Sequence, residues 1–252
     1  MPQEKYDTFD YAAIRRWAED AGVRINSFHL PFYPGHWLDL STPDEVKQAE
    51  TLSELKRMLD YAATAGARIA VIPPSGEPYA DEVRPSRIAQ AKRGLAALCE
   101  YADSLGLRLA VENLPRTCLG RDSSEMLELI SADERLVICF DTNHLLSEDP
   151  VEFIHKCGHK IVTLHVSDYD RLDERHWLPG EGKVDWTALY NALREVGYNG
   201  VWMYELGLSC PKTILRDRTL TYADCVQNAR ELFEGKTPTV YSRPKPNLGW
   251  WE

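Results

Sequence analysis

The stretch LRLAVEN, residues 107–113, decides how this chain reads. A short, β-forming apolar run stops at a carboxylate, Glu112, and a loop containing Pro115 follows. In front of it stands Gly106, closing a helical pattern that opens at Pro85-Ser86 and carries Leu95, Leu98, Cys99, Ala102 and Leu105 on one stripe. Helix, glycine, buried strand, polar strand end and loop form the repeating half of a βαβ unit.

Five further runs end in the same way: SFHLPF at His29, VIPPSG at Pro73-Pro74, CFDTNH at Asp141, TLHVSD at His165 and WMYEL at Glu205. The strands expected are VRINSFHL (23–30), ARIAVIP (67–73), LRLAVEN, RLVICF (135–140), KIVTLHV (160–166) and GVWMYEL (200–206). They are mostly apolar on both faces, as parallel strands covered by helices should be. Helices fill the intervals. Asp10 precedes YAAIRRWAEDAG, Thr42-Pro43-Asp44-Glu45 reads as a capping box with Pro at the first helical position, and Asp122-Ser123-Ser124-Glu125, Asp149-Pro150 and Asp185 open three more. A last helix covers about Tyr222 to Phe233.

This alternation predicts an α/β fold with a parallel sheet, either a TIM barrel or a doubly wound sheet. No GxGxxG follows a strand, which speaks against dinucleotide binding. In a barrel the C-terminal ends of the strands share one face, so strand-end carboxylates and imidazoles converge there. Six strands are expected where a closed barrel takes eight. Residues 1–235 read as one TIM-barrel-like domain and 236–252, KTPTVYSRPKPNLGWWE, as an extended C-terminal arm whose tryptophans dock on this chain or a partner.

The totals bound the function. A net charge of −10 works against nonspecific nucleic-acid binding. No apolar run approaches the roughly 18–20 residues that span a bilayer, and no membrane partner is expected. The N-terminus MPQEKYDTFD lacks the basic and apolar regions of a signal peptide. The six cysteines show no CxxC pair, so reduced thiols and a cytoplasmic location are expected.

Each strand-end residue has a plain reading beside the functional one. Glu112 serves a metal or catalytic role, or a structural ion pair, because a carboxylate there is costly to bury alone. Asp141, with His144 three residues on, is a ligand or a helix cap. His165 is a ligand or a satisfied core histidine, and Glu205 repeats the case of Glu112. The segment HVSDYDRLDERHWLPGEGKVDW (165–186) is a functional loop or a solvated one. His29 is within reach of the proposed face, His36 reads as a surface residue, and His155 and His159 receive no role. The set as a whole, Glu112, Asp141, His165 and Glu205, suffices to hold one divalent metal ion.

These residues resemble the xylose isomerase-like TIM-barrel superfamily of sugar and sugar-phosphate isomerases and epimerases. The superfamily includes tagatose-3-epimerase-type enzymes, hydroxypyruvate isomerase, inosose dehydratase and endonuclease IV. The likeness rests on VEN (111–113), DTNH (141–144), HVSD (165–168), ERHWLPGEGKVDW (174–186) and GYNGVWMYE (197–205). It implies that Glu112, Asp141, His165 and Glu205 are the metal ligands, and that Glu112 and Glu205 also exchange the proton. It implies substrate contacts from His144 and Arg171; Glu174 and His176 fall where endonuclease IV has an Asp-x-His of its additional zinc sites, and these two, with His29 from its reach to the proposed face, complete the expected substrate-binding set. Family members usually begin with a β-α-β unit ahead of the helix at 10–21. This chain reads as starting after it, so either the barrel is open or another chain or the C-terminal arm covers the gap; exposed strand edges make a homodimer the expected oligomer.

Three carboxylates and one imidazole suit Mn²⁺ first, then Mg²⁺, Co²⁺ or Zn²⁺. The expected activity is isomerisation or epimerisation of a small sugar, sugar phosphate or keto acid by proton transfer through an enediolate. An inosose dehydratase-like lyase and a degenerate, non-catalytic barrel are the alternatives. An endonuclease IV-like phosphodiesterase is a third, opposed by the acidic charge and by Pro73-Pro74, where that enzyme supplies a histidine.

Overall fold

The computed structural model describes residues 6–31, 38–77 and 79–245. Its helices are α1 (Tyr11–Asp20), α2 (Glu45–Thr64), α3 (Arg84–Ser104), α4 (Ser123–Ile130), α5 (Pro150–Cys157), α6 (Trp186–Glu195) and α7 (Tyr222–Phe233). They are interleaved with β1 (Ser27–His29), β2 (Ile69–Ile72), β3 (Arg108–Glu112), β4 (Val137–Asp141) and β5 (Ile161–His165). These strands lie in one sheet in chain order. β2 is parallel to both β1 and β3, with Ala70 opposite Phe28 and Leu109. The α/β fold with a parallel sheet is as the alternation predicts.

The chain divides into two compact units. One comprises Met1–Glu112, Thr117–Gly120 and Ser124–Ile138. Its core joins the apolar stripe of α2 (Leu55, Met58, Leu59, Ala62) and that of α3 (Leu95, Leu98, Cys99, Ala102) to the wholly buried β2. Gly94 lets Leu40 close on α3, since a Cβ there would stand 2.7 Å from the leucine Cδ2. Asp10 caps α1 by accepting from Ala13 N–H. At α2 the cap is Asp44, accepting from Val46 and Lys47 N–H, and the helix starts at Glu45. The capping box expected at Thr42, with Pro43 at the first helical position, is therefore replaced by a simple N-cap two residues later, where Lys47 stands at the third helical position. Pro43 disfavours helical backbone at Thr42, and the Asp44 carboxylate is well suited to the first-turn amides.

The other unit comprises Asn113–Arg116, Arg121–Ser123 and Cys139–Glu252. Phe140 of β4 stacks on Phe153 of α5 with ring centroids 5.0 Å apart. Asp149, Asp185 and Thr221 cap α5, α6 and α7, the last through a full capping box with Asp224.

GVWMYEL corrects the sequence expectation of a sixth strand. It makes a single parallel bridge, Tyr204 to Val166, with Val166 N–H donating to Met203 O (2.8 Å) and Glu205 N–H to Val166 O (3.0 Å). Its apolar residues serve aromatic packing instead: Trp202 meets Trp186, Tyr190 and Phe233 at 6.1, 6.3 and 5.4 Å. An apolar run reports burial and leaves open whether a ladder forms. A two-stranded antiparallel sheet that the sequence did not suggest joins β6 (Ile214–Arg216) to β7 (Ser242–Pro244). Part of the expected C-terminal arm is thus paired with its own chain. Both arm tryptophans, like His36, lie outside the described residues.

Candidate metal and substrate site

Three of the strand-end residues meet within the second unit. Asp141 ends β4, His165 ends β5, and the bridge at Tyr204 places Glu205 alongside. His165 Nδ1 lies 2.7 Å from Glu205 Oε2 and 3.9 Å from Asp141 Oδ2. One ligand atom from each lies within 4.8 Å of the others. Asp141 is fully buried, whereas the Glu205 side chain is 38 % exposed and so open to a substrate.

Asp141 is held by its neighbours. Asn143 N–H donates to its Oδ1 at 2.6 Å. The Asn113 amide clasps the strand end reciprocally: Nδ2 donates to Asp141 O (2.9 Å), and Asp141 N–H donates to Asn113 Oδ1 (2.7 Å). In the first unit, buried Glu112 ends β3 and accepts from His29 Nε2 at 3.1 Å, while His29 Nδ1 donates to Leu30 O at 2.6 Å. His29, the last residue of β1, is thereby brought to Glu112.

His144 and Glu174, both expected near substrate, form a pair. His144 Nδ1 donates to Asn113 O (2.8 Å) and Nε2 to Glu174 Oε1 (2.9 Å). Two acceptors around one ring require an imidazolium once Glu174 is ionised. Burial pushes the Glu174 carboxyl up, but the hydrogen bond and charge of His144 and the Arg116 guanidinium outweigh it and hold it at about 2. His176 stands edge-on to His144, with Nδ1 donating to Glu205 O at 3.0 Å and Nε2 3.9 Å from Glu174 Oε1. It therefore fixes the backbone that carries Glu205. Beside His144 opens a cleft of about 290 Å³ lined by Arg116, Arg121, Asp122, His144, Leu146 and Ser147.

Arg171 faces elsewhere. Its guanidinium bonds Glu148 O (3.0 Å) and Asp149 Oδ2 (3.4 Å) at the N-terminus of α5. Among the described residues, the non-glycine residues with positive φ are Arg116 (53°), Arg171 (64°) and His176 (52°). All three sit in these loops, at a cost of about 1–2 kcal/mol each.

The segment after His165 is built rather than solvated. Asp168 is fully buried and takes Tyr169 N–H (2.8 Å) and Val184 N–H (3.2 Å) on Oδ1, and Gly180 N–H (2.8 Å) and the Trp186 indole N–H (2.8 Å) on Oδ2. Only glycine fits at 182, where a Cβ would stand 2.3 Å from both Asp168 Oδ1 and Tyr169 O. Glu181 pairs with Arg216 of β6 at 2.8 Å, both side chains buried. Sequence reasoning gave no role to Asn113, Arg116 or Asp168. Two had a signal: Asn113 follows the strand-end Glu112, and Asp168 closes the HVSD motif. Arg116 had none.

Residues 2–220 match the family described as xylose isomerase-like TIM barrel. The chain is 27 % identical over 187 residues to fructoselysine 3-epimerase of Escherichia coli O157:H7, covering 71 % of this chain and 66 % of that protein. It is 23 % identical over 214 residues to D-psicose 3-epimerase of Agrobacterium fabrum, covering 80 % and 70 %. It thus spans about two thirds of the length of these curated relatives. Among solved structures, a D-tagatose 3-epimerase-like protein superposes with a TM-score of 0.76 at 21 % identity, over 89 % of this chain and 82 % of that one.

Proposed function

The chain belongs to the xylose isomerase-like TIM barrel family, and from that membership we propose that it is a divalent-metal-dependent isomerase or epimerase of a small sugar, sugar phosphate or keto acid. The observation that carries the reading is the convergence of Asp141 and His165, at the ends of β4 and β5, with Glu205 beside the Tyr204 bridge, their ligand atoms within 4.8 Å of one another. Glu112 is proposed as the fourth ligand. It is the residue bonded to Asn113, whose amide is clasped to Asp141. The relatives named as epimerases support the reaction class.

Three carboxylates and one imidazole are a donor set for a hard or borderline ion, Mn²⁺ before Mg²⁺, Co²⁺ or Zn²⁺. When bound, the ion polarises the substrate carbonyl and offsets the charge that develops as the α-proton leaves. The proteins' own groups do the rest. Glu205, the most exposed of the unit's three candidate ligands, removes the proton from one face of the carbon, and Glu112 returns it. Return to the opposite face epimerises; return to the neighbouring carbon isomerises. Asn113 and Asn143 hold Asp141 still while this happens, and His176 holds the Glu205 backbone.

The test is a panel of ketoses, ketose phosphates and 2-keto acids with Mn²⁺ in D₂O, read by NMR. Deuterium should enter the substrate at one carbon, and Glu205→Gln should abolish exchange. Undiminished activity in that variant, or indifference to EDTA, refutes the assignment; loss of water from the substrate would mark a lyase instead.

A further inference from the structure

Arg116 lies on a loop that no motif marks, yet its backbone is held in the left-handed region at φ 53°. A single nitrogen, Nη1, donates both to Asp173 Oδ1 (2.7 Å) and to Glu174 Oε2. The other Glu174 oxygen takes His144 Nε2, and His144 Nδ1 is bonded to Asn113 O. Asn113 in turn clasps Asp141. A continuous series of contacts therefore runs from Arg116 through Glu174, His144 and Asn113 to the end of β4. Asp173 and Glu174 are adjacent carboxylates, and Arg116 is the cation they share. Without it they repel each other, and Glu174 has reason to swing toward water and release the His144 ring.

We propose that Arg116 is a positioning residue: by gripping Glu174 it fixes the His144 ring beside Asp141 and shapes the cleft wall that faces substrate. This rests on the isomerase or epimerase reading above. Arg116 grips Glu174 and acts on the end of β4 through Glu174, His144 and Asn113.

The test compares Arg116→Ala, Arg116→Lys, Glu174→Gln and the double variant Arg116→Ala/Glu174→Gln in the full chain loaded with Mn²⁺. Arg116→Ala should lower kcat about 10- to 100-fold, the usual cost of losing a residue that orients a site group. KM and manganese content should stay nearly unchanged. Arg116→Lys should recover most of the rate, because an ammonium can still sit between two carboxylates. The double variant should be no slower than the slower single, since both changes break one series. A second readout needs no turnover: the ring-nitrogen NMR signals of His144, assigned with His144→Gln in the metal-free protein, should move together in Arg116→Ala and Glu174→Gln. Additive rate losses, wild-type kcat in Arg116→Ala, or an unmoved His144 signal would overturn the proposal. If the wild-type chain turns over no member of the panel, the functional reading fails, and the His144 signals alone decide whether Arg116 positions the ring. Should Arg116→Ala fail to fold, Arg116→Lys and Glu174→Gln carry the same comparison.

Discussion

Replacing Asp168 by Asn removes one charge and one acceptor from the turn that follows His165, and its cost can be worked from four hydrogen bonds. Oδ1 accepts from Tyr169 and Val184 N–H, and Oδ2 from Gly180 N–H and the Trp186 indole. An asparagine amide presents an oxygen to one pair only. Its NH₂ then faces the other two donors, whose partners are lost and whose hydrogens are opposed. The side chain is fully buried, so water does not replace them. Hydrogen bonds to a charged acceptor are worth about 1.5–3 kcal/mol each, which puts the loss at about 3–6 kcal/mol. Burial pushes the Asp168 carboxyl up, and the donors pull the other way. All four groups aimed at it are N–H donors, so the ionised form is the one this turn is built around.

Urea unfolding followed by tryptophan fluorescence reads the effect, because Trp177 and Trp186 both border the turn. For a chain of this length the same loss should lower Tm by about 2–4 °C per kcal/mol. A loss below about 1 kcal/mol with an unchanged urea slope would show that the turn does not depend on the carboxylate, and would refute the reasoning.

Two further outcomes follow from the same unit. Glu174 is ionised at every pH above its unfolded value of about 4.5, and the folded protein holds it at about 2, so the stability it contributes is present above about pH 4.5 and lost as pH falls toward 2. Glu174→Gln should therefore destabilise the protein by up to about 3 kcal/mol at pH 7 and by much less near pH 2; equal losses at both pH values in urea titrations would contradict this. Arg216→Met should cost about 3–5 kcal/mol by leaving buried Glu181 without its counter-charge, while Arg216→Met/Glu181→Gln should recover most of that loss. Matching urea midpoints for the single and double variants would show that the Glu181 charge is not stranded.

What could be read from the sequence, and what could not, follows from how far each signal reaches along the chain. A buried strand ending in a carboxylate or imidazole is a local pattern, so β3, β4 and β5 and their ends at Glu112, Asp141 and His165 were all legible. GVWMYEL carried the same apolar signal, yet Trp202 answers to α6 and α7 through ring packing and only a single bridge forms. Apolar content is blind to that distinction. The groups around His144 are further from legibility, because they depend on loop backbone. Arg116 reaches Glu174 across 58 residues of sequence from a left-handed φ that nothing in LPRT announces. Arg171 was suggested by the family resemblance, and in the structure its guanidinium, on its own left-handed residue, bonds Glu148 O at the start of α5. Spacing along the chain fixes a side chain's direction only while the backbone between residues is regular. His165 to Arg171 leaves β5 after one residue, and from there the direction of a side chain is set by whichever acceptor the turn brings within reach.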